Sequence, residues 1–315
     1  MIQIGDIRDA RARLAPHVLR TPTRRSEWLS RPGADVHLKL EVVQPTSSYK
    51  IRGAFNAALQ VRRQRLVTAS AGNHGRAMAY AARALNLPLT VFIAATAPAA
   101  KIAPIRASGA DVRTCRDYDE AERAAKEYAA GGNGLFISPY SHPDVIAGAG
   151  TIGLELIEDV RQLDAVVVPI GGGGLISGIA IAIKAVSPGT RVIGVEVAAS
   201  CPFTKSLAAG RLVTIDVQPS LADGLTGNLD PDTITFDIVR ALVDELAVVG
   251  EADLRGALAG IAEHEHLVIE GAAAAGPAAL LSGTIEPKGN VAVVLTGANI
   301  DTRTFLDVCR RSASE

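Results

Sequence analysis

Cysteine is scarce in this chain of 315 residues. Only Cys115, Cys201 and Cys309 occur, odd in number, far apart and with no CxxC pair. That argues against a disulfide framework or a zinc site, and a reducing cytoplasm is the expected location. Aromatic residues make up 4%, with one tryptophan, and there are two methionines; these suggest core packing rather than a stacking surface. Excess charge is missing too. The formal net charge is −1, so no electrostatic feature favours nucleic acid or an acidic membrane surface as a partner. No apolar run reaches the ~18 residues a membrane helix needs. The longest, near Val291–Leu295 and Ala165–Ile170, have strand length. Met1 to Asp6 lacks the basic-then-apolar pattern of a secretion signal, and no regulatory domain is expected beyond the last strand.

What is present is apolar bulk: 48% of the residues are hydrophobic, enough for one large domain or two medium ones. Strand-like and helix-like segments alternate. Strands are expected at Val36–Leu40, Leu66–Ala69, Leu89–Ala94, Asp111–Cys115, Leu135–Ile137, Ala165–Val168, Arg191–Val195 and Val291–Leu295. Helices are expected at Ile7–Leu14, Gly53–Arg63, Gly75–Leu85, Ala99–Ser108, Glu120–Ala130 and Gly174–Val186. Repeated β-then-α units with Val- and Ile-rich strands predict an α/β fold of parallel sheets covered by helices. Turn residues at Pro139–Pro143 separate two such series.

Four short segments carry chemistry. Each alone could be an ordinary turn; their order gives them weight. Ser47-Ser48-Tyr49-Lys50-Ile51-Arg52-Gly53-Ala54 puts a lysine ahead of a helix, among small and neutral residues. An amine held away from water near a helix N-terminus loses its proton more readily, as a Schiff-base amine must. Ser70-Ala71-Gly72-Asn73-His74-Gly75 lies between a strand and a helix, where small residues let backbone N–H groups approach an anion. Pro169-Ile170-Gly171-Gly172-Gly173-Gly174-Leu175 follows a strand and opens a helix. Four successive glycines expose backbone donors suited to a terminal phosphate. No Gly-Lys-Ser/Thr follows, and the dinucleotide spacing is not evident. Leu295-Thr296-Gly297-Ala298-Asn299 places a hydroxyl at a strand's C-terminal end, where open α/β sheets bind ligands.

From Thr21-Pro22 to Asn299 the chain resembles the fold-type II pyridoxal 5′-phosphate enzymes, and among them the threonine/serine dehydratases (threonine ammonia-lyases). The family's Ser-Phe-Lys-x-Arg-Gly-Ala segment reads Ser48-Tyr49-Lys50-Ile51-Arg52-Gly53-Ala54 here, with Tyr49 in place of Phe. The resemblance implies two open parallel-sheet domains of the tryptophan synthase β type, with the cofactor in the cleft between them. The expected division is a large domain of 1–47 with 143–315 and a small one of 48–142. It further implies that Lys50 carries the cofactor and takes the α-proton, and that Ser70, Ala71, Gly72, Asn73 and His74 bind the substrate carboxylate. Asn73 also meets the cofactor's 3′-oxygen, Gly171, Gly172, Gly173 and Gly174 hold its phosphate, and Thr296 meets its pyridine nitrogen. Val145–Thr151 and Ser220–Gly224 match further family segments, and Glu270 matches an acidic position of the pocket. The expected partner is a small amino-acid substrate, and a homodimer is expected.

Departures from the family pattern narrow the choice. Cysteine synthases carry Gly-Asn-Thr-Gly where this chain has His74. Serine racemases carry a second serine before Gly-Asn-His; Ala71 stands there and has no proton to move, which disfavours racemisation. Some members bind a divalent cation through a glutamate matched by Glu196, but Pro202 holds the place of the aspartate, so no metal is assigned and Glu196 is only a weak candidate. His264-Glu265-His266 reads as a polar surface patch, because i,i+2 residues do not share a helix face. The expected reaction is loss of water from L-threonine or L-serine, giving a 2-keto acid and ammonia. Open alternatives are another β-hydroxy amino acid (a hydroxyaspartate, a phenylserine or a hydroxyectoine-derived compound) and a nucleotide-binding or cofactor-free α/β protein.

Overall fold

The computed structural model describes residues 2–61 and 64–312. Ten strands are assigned among them: β1 (Thr23–Arg31), β2 (Ala34–Leu40), β3 (Leu66–Ala69), β4 (Leu89–Ala94), β5 (Asp111–Cys115), β6 (Leu135–Phe136), β7 (Leu163–Pro169), β8 (Arg191–Val197), β9 (Glu245–Val249) and β10 (Gly289–Leu295). The α-helices are α1 (Ile4–Leu14), α2 (Lys50–Leu59), α3 (Asn73–Ala84), α4 (Ala99–Ala107), α5 (Tyr118–Tyr128), α6 (Pro143–Asp159), α7 (Gly174–Val186), α8 (Pro202–Ala209), α9 (Thr235–Leu242), α10 (Glu251–His264), α11 (Gly271–Leu281) and α12 (Thr302–Ser312).

Two sheets form. The larger runs β1-β2-β10-β7-β8-β9 and the smaller β5-β4-β3-β6. All pairings are parallel except β1 with β2, an antiparallel hairpin closing one edge. The expected parallel sheets form, and this hairpin adds an antiparallel edge to the larger one. β1 reads Thr-Arg-Arg-Ser-Glu-Trp-Leu-Ser-Arg, too polar to register as a strand, because only Ser26 and Leu29 are fully buried along it, with Trp28 packed partly against the core. Central strands are different. Val166, Val167, Val168, Val291, Val293 and Val294 are at most 1% exposed, as expected of strands covered on both faces. Burying each such side chain contributes about 1.5–3 kcal/mol.

Most other expected elements fall within a few residues of those observed. α2 begins at Lys50 rather than Gly53 and ends at Leu59; Arg62 and Arg63, at the expected helix end, lie outside the described residues. The His264–His266 segment is no simple surface patch. Glu265 is 7% exposed and accepts hydrogen bonds from Ser26 (2.5 Å) and Arg24 (2.6 Å), while the His264 ring lies against Trp28.

A charge cluster is buried where α2 meets α6. Arg52 (1% exposed) bonds to Glu41 and Glu155, and Lys39 (0%) to Glu155 and Asp159. Burial raises the Glu41 carboxyl, but the Arg52 guanidinium and Thr21 outweigh it, and Glu41 stays below the usual carboxylate range. Lone charges in such a place would be prohibitive; these persist because each is paired and hydrogen-bonded.

Candidate active site

Three of the four segments sit at C-terminal ends of parallel strands: Ser70 after β3, Gly171 after β7 and Thr296 after β10. Lys50 joins them through its neighbours. The Tyr49 N–H donates to the Thr296 carbonyl (3.0 Å), and Ser48 bridges to Gly297. From the start of α2, the Lys50 ammonium donates to the Pro139 carbonyl (2.8 Å). That partner is uncharged, and Lys50 makes no carboxylate salt bridge in the described structure. At the start of α3, the Asn73 amide donates to Glu270 (2.7 Å) and accepts from Asn299 (2.7 Å), whose carbonyl oxygen accepts from Arg76 (2.7 Å).

The glycine run forms a cradle with a wall against its backbone. A methyl group at Gly172 would lie 2.3–2.6 Å from three ring carbons of Tyr140, and one at Gly174 2.7 Å from the Tyr140 carbonyl oxygen. Gly173 has φ +84°, a left-handed conformation that glycine adopts without strain, and it turns the chain into α7. Among the described residues, none accepts the N–H of Gly171, Gly172 or Gly173. Those donors, with the open first turn of α7 behind them, are a ready anion site.

Two further groups point to a ligand. The Thr296 hydroxyl is buried and has no hydrogen-bond partner among the described residues. A buried, unpaired polar atom costs about 1–3 kcal/mol, so its retention favours a ligand group that pairs with it. Burial pushes Glu270 up to about 7; the Asp223 carboxylate adds to this, and the Asn73 amide opposes it. His74 is also buried, in the first turn of α3, with its ring beside the Ile137 backbone, whose hydrogen bond opposes the loss of charge. Burial, reinforced by the Lys50 charge, lowers it to about 3. At neutral pH it is an uncharged imidazole.

Ser70 sits at the turn itself, where its hydroxyl accepts the Gly72 N–H (3.2 Å), and Ala71 and Gly72 lead into Asn73 at the start of α3. Glu196 lies apart from this group. Its carboxylate accepts the N–H groups of Phe203 (2.8 Å) and Thr204 (2.8 Å) and the Thr204 hydroxyl (2.6 Å). It thereby caps the exposed donors at the start of α8. Among the described residues, no group of three or more His, Cys, Asp and Glu side chains could hold a metal ion.

Several groups near the site escaped the sequence reading. Tyr140 lies in the turn read only as a boundary, and its hydroxyl accepts the Asp230 N–H (3.0 Å). Asp230 and Glu122 share the Lys126 ammonium, 3.2 Å from each. Burial, with Asp230 alongside, raises Glu122 to about 7. Lys101 on α4 pairs with Asp223. Apart from Glu122 and Lys126, one turn apart on α5, these partners are distant in sequence, and nothing local marks them.

The chain belongs to the family of pyridoxal-phosphate dependent enzymes, whose family description matches residues 14–297. It is 40% identical over 308 residues to the L-threonine ammonia-lyase of Thermotoga maritima, covering 96% of this chain and 76% of that protein. It is 38% identical over 309 residues to the L-threo-3-hydroxyaspartate ammonia-lyase of Saccharomyces cerevisiae, covering 96% and 94%. Among solved structures, the processed form of threonine deaminase isoform 2 from Solanum lycopersicum superposes with a TM-score of 0.91 at 30% identity, covering 99% of this chain and 88% of that one. The cofactor is pyridoxal phosphate. The residues present fit it: an amine without a carboxylate partner, a cradle of unspent N–H groups and an orphaned buried hydroxyl. No helix among the described residues is long and apolar enough to cross a membrane.

Proposed function

We propose that the chain is an ammonia-lyase converting L-threonine or L-serine to a 2-keto acid and ammonia. The observation that carries this reading is the meeting of Lys50, the Asn73 turn and Thr296 around one cleft, joined by the bonds from Tyr49 to Thr296 and from Asn73 to Glu270. Relatives named for threonine ammonia-lyase activity support it. Pyridoxal phosphate, once bound, supplies an electron sink for charge developing at the substrate's α-carbon.

The protein's own groups divide the work. Lys50 would carry the cofactor covalently, then act as the base that takes the α-proton. The N–H groups of Gly171 to Gly174 would hold the phosphate, Asn73 the 3′-oxygen and Thr296 the pyridine nitrogen. The Ser70–His74 turn would orient the substrate carboxylate, with His74 uncharged. Ala71 offers no proton on the opposite face, so elimination is favoured over racemisation. The water lost with the β-hydroxyl is regained when ammonia is released, and the overall change is substrate to keto acid plus ammonia.

The same proposal divides the chain into a larger unit, 1–47 with 143–315, and a smaller one, 48–142, with the cofactor in the cleft between them. It places the enzyme in the cytoplasm as a homodimer. A second reading, action on 3-hydroxyaspartate, is favoured by the yeast relative named for that substrate. Two measurements test the proposal. Borohydride reduction followed by peptide mapping should find the cofactor on Lys50. A keto-acid assay over L-threonine, L-serine, 3-hydroxyaspartate and phenylserine should rank the first two highest. A label on another lysine would remove Lys50 from its role, and a top rank for 3-hydroxyaspartate would select the second reading.

A further inference from the structure

We propose that Arg52 is a positioning residue for Lys50, and that Glu41 and Glu155 grip its guanidinium to fix the lysine-bearing helix to the larger unit. Arg52 follows Lys50 by two residues, in the first turn of α2. Its Nε and Nη2 donate to Glu41 (2.9 and 2.8 Å), and its Nη1 and Nη2 to Glu155 (2.6 and 2.9 Å). The second Nη1 hydrogen goes to Thr151 (3.1 Å), and the Leu19 carbonyl (3.2 Å) shares the Nη2 donors. Glu41 follows β2, and Thr151 and Glu155 lie on α6, so the guanidinium ties three segments together. A planar fork engaging two carboxylates fixes orientation as well as distance, which a flexible ammonium does not.

The backbone repeats the constraint. A methyl group at Gly148 on α6 would lie 2.6 Å from the Arg52 carbonyl oxygen, so the two helices touch along their main chains. The next link is equally close: a methyl group at Gly178 on α7 would lie 2.3 Å from the Ile146 carbonyl oxygen of α6. α2 therefore connects through α6 to the helix that opens at the glycine cradle. Its other face packs on α3, whose first turn carries Asn73. α2 lies within the 48–142 segment and touches both units, yet its buried charges engage only the larger one. Lys50 thus keeps its register with Thr296, whose carbonyl accepts the Tyr49 N–H, and with the cradle. Lys39 serves as an internal comparison. Its ammonium meets the same Glu155 (2.8 Å), but its side chain comes from β2 and not from α2.

The inference rests on the reading of Lys50 as the cofactor-bearing lysine, which borohydride labelling tests separately. The experiment uses the holoenzyme and the variants Arg52→Lys, Arg52→Met and Lys39→Met, compared well below the lowest melting temperature. It reads melting temperature, the pH midpoint of the visible band of the lysine-bound cofactor, and kcat and KM with L-threonine. Both Arg52 variants should move the midpoint by about half a unit or more and lower kcat about tenfold, with KM changing less than about threefold. Arg52→Lys should show the smaller change. Lys39→Met should lower the melting temperature yet leave the midpoint and kcat near wild type. Wild-type midpoint and kcat in the Arg52 variants would overturn the proposal, and so would an equal change in Lys39→Met. If Arg52→Met does not fold, Glu41→Gln replaces it with the same expectation.

Discussion

Thr296 follows β10 with a buried hydroxyl that has no partner among the described residues. Replacing it by alanine removes the hydrogen bond proposed to the pyridine nitrogen, at a cost of about 1–3 kcal/mol. Cofactor affinity or turnover should fall roughly tenfold, measured by titration of the cofactor-free protein and by keto-acid release. Thr296→Asp goes further, because a carboxylate favours a protonated ring and a stronger electron sink. Transamination should then gain on elimination; an unchanged partition between products in the loaded, folded variant would show that ring protonation is not what Thr296 controls. Glu270 offers a test by pH. Its carboxyl keeps a proton up to about 7 when folded, against 4.5 as the ordinary value. The folded state holds the extra proton between those values, so stability falls as pH rises through that window. The loss is complete above it and amounts to about 3 kcal/mol. In cofactor-free protein, Glu270→Gln should therefore gain about 2 kcal/mol more relative to wild type at pH 8 than at pH 5, by urea unfolding. An equal difference at both pH values would refute the raised carboxyl.

At the scale of elements, the cradle depends on Tyr140, supplied by the turn before α6. Gly172→Ala would drive a methyl into the Tyr140 ring, and overpacking of this kind costs about 1–3 kcal/mol. The dissociation constant for pyridoxal phosphate should rise about tenfold. Tyr140→Leu in the same chain should recover part of that loss by making room. A double variant no better than Gly172→Ala would mean that the glycine serves the phosphate alone and not the packing. The hairpin of β1 and β2 makes a related point about edges. β1 carries charge along its length, which suits an outer strand and hides it from a search for hydrophobic periodicity.

For the whole molecule, the two sheet units meet through polar groups as well as packing. Lys126 on α5 sits between Glu122 on the same helix and Asp230 in the segment before α9. Lys126→Met would leave two carboxylates facing each other. Lys126 holds the Glu122 carboxyl down, so in the variant Glu122 binds its proton more tightly and shares it with Asp230; as pH rises that proton is lost and the two charges repel. The variant's loss of melting temperature should thus be greater at pH 8 than at pH 6, by about 2 °C or more. Equal losses would indicate that the carboxylates separate freely once the lysine is gone.

Contiguous residues carried a great deal. The order of the lysine segment, the Ser-Ala-Gly-Asn-His turn, the tetraglycine run and the terminal threonine sufficed to place the chain among pyridoxal-phosphate enzymes, and Val-rich runs marked most parallel strands. These signals are local, because a turn needs particular residues in a row and a buried strand needs adjacent apolar ones. Tertiary structure alone decided which charges pair. Arg52 meets Glu155 across 103 residues, and Asn73 meets Glu270 across 197. It also decided that Tyr140 walls the cradle and that Glu265 is buried. A side chain's charge or ring is written in the sequence, but its desolvation and its partner come from segments that only folding brings together.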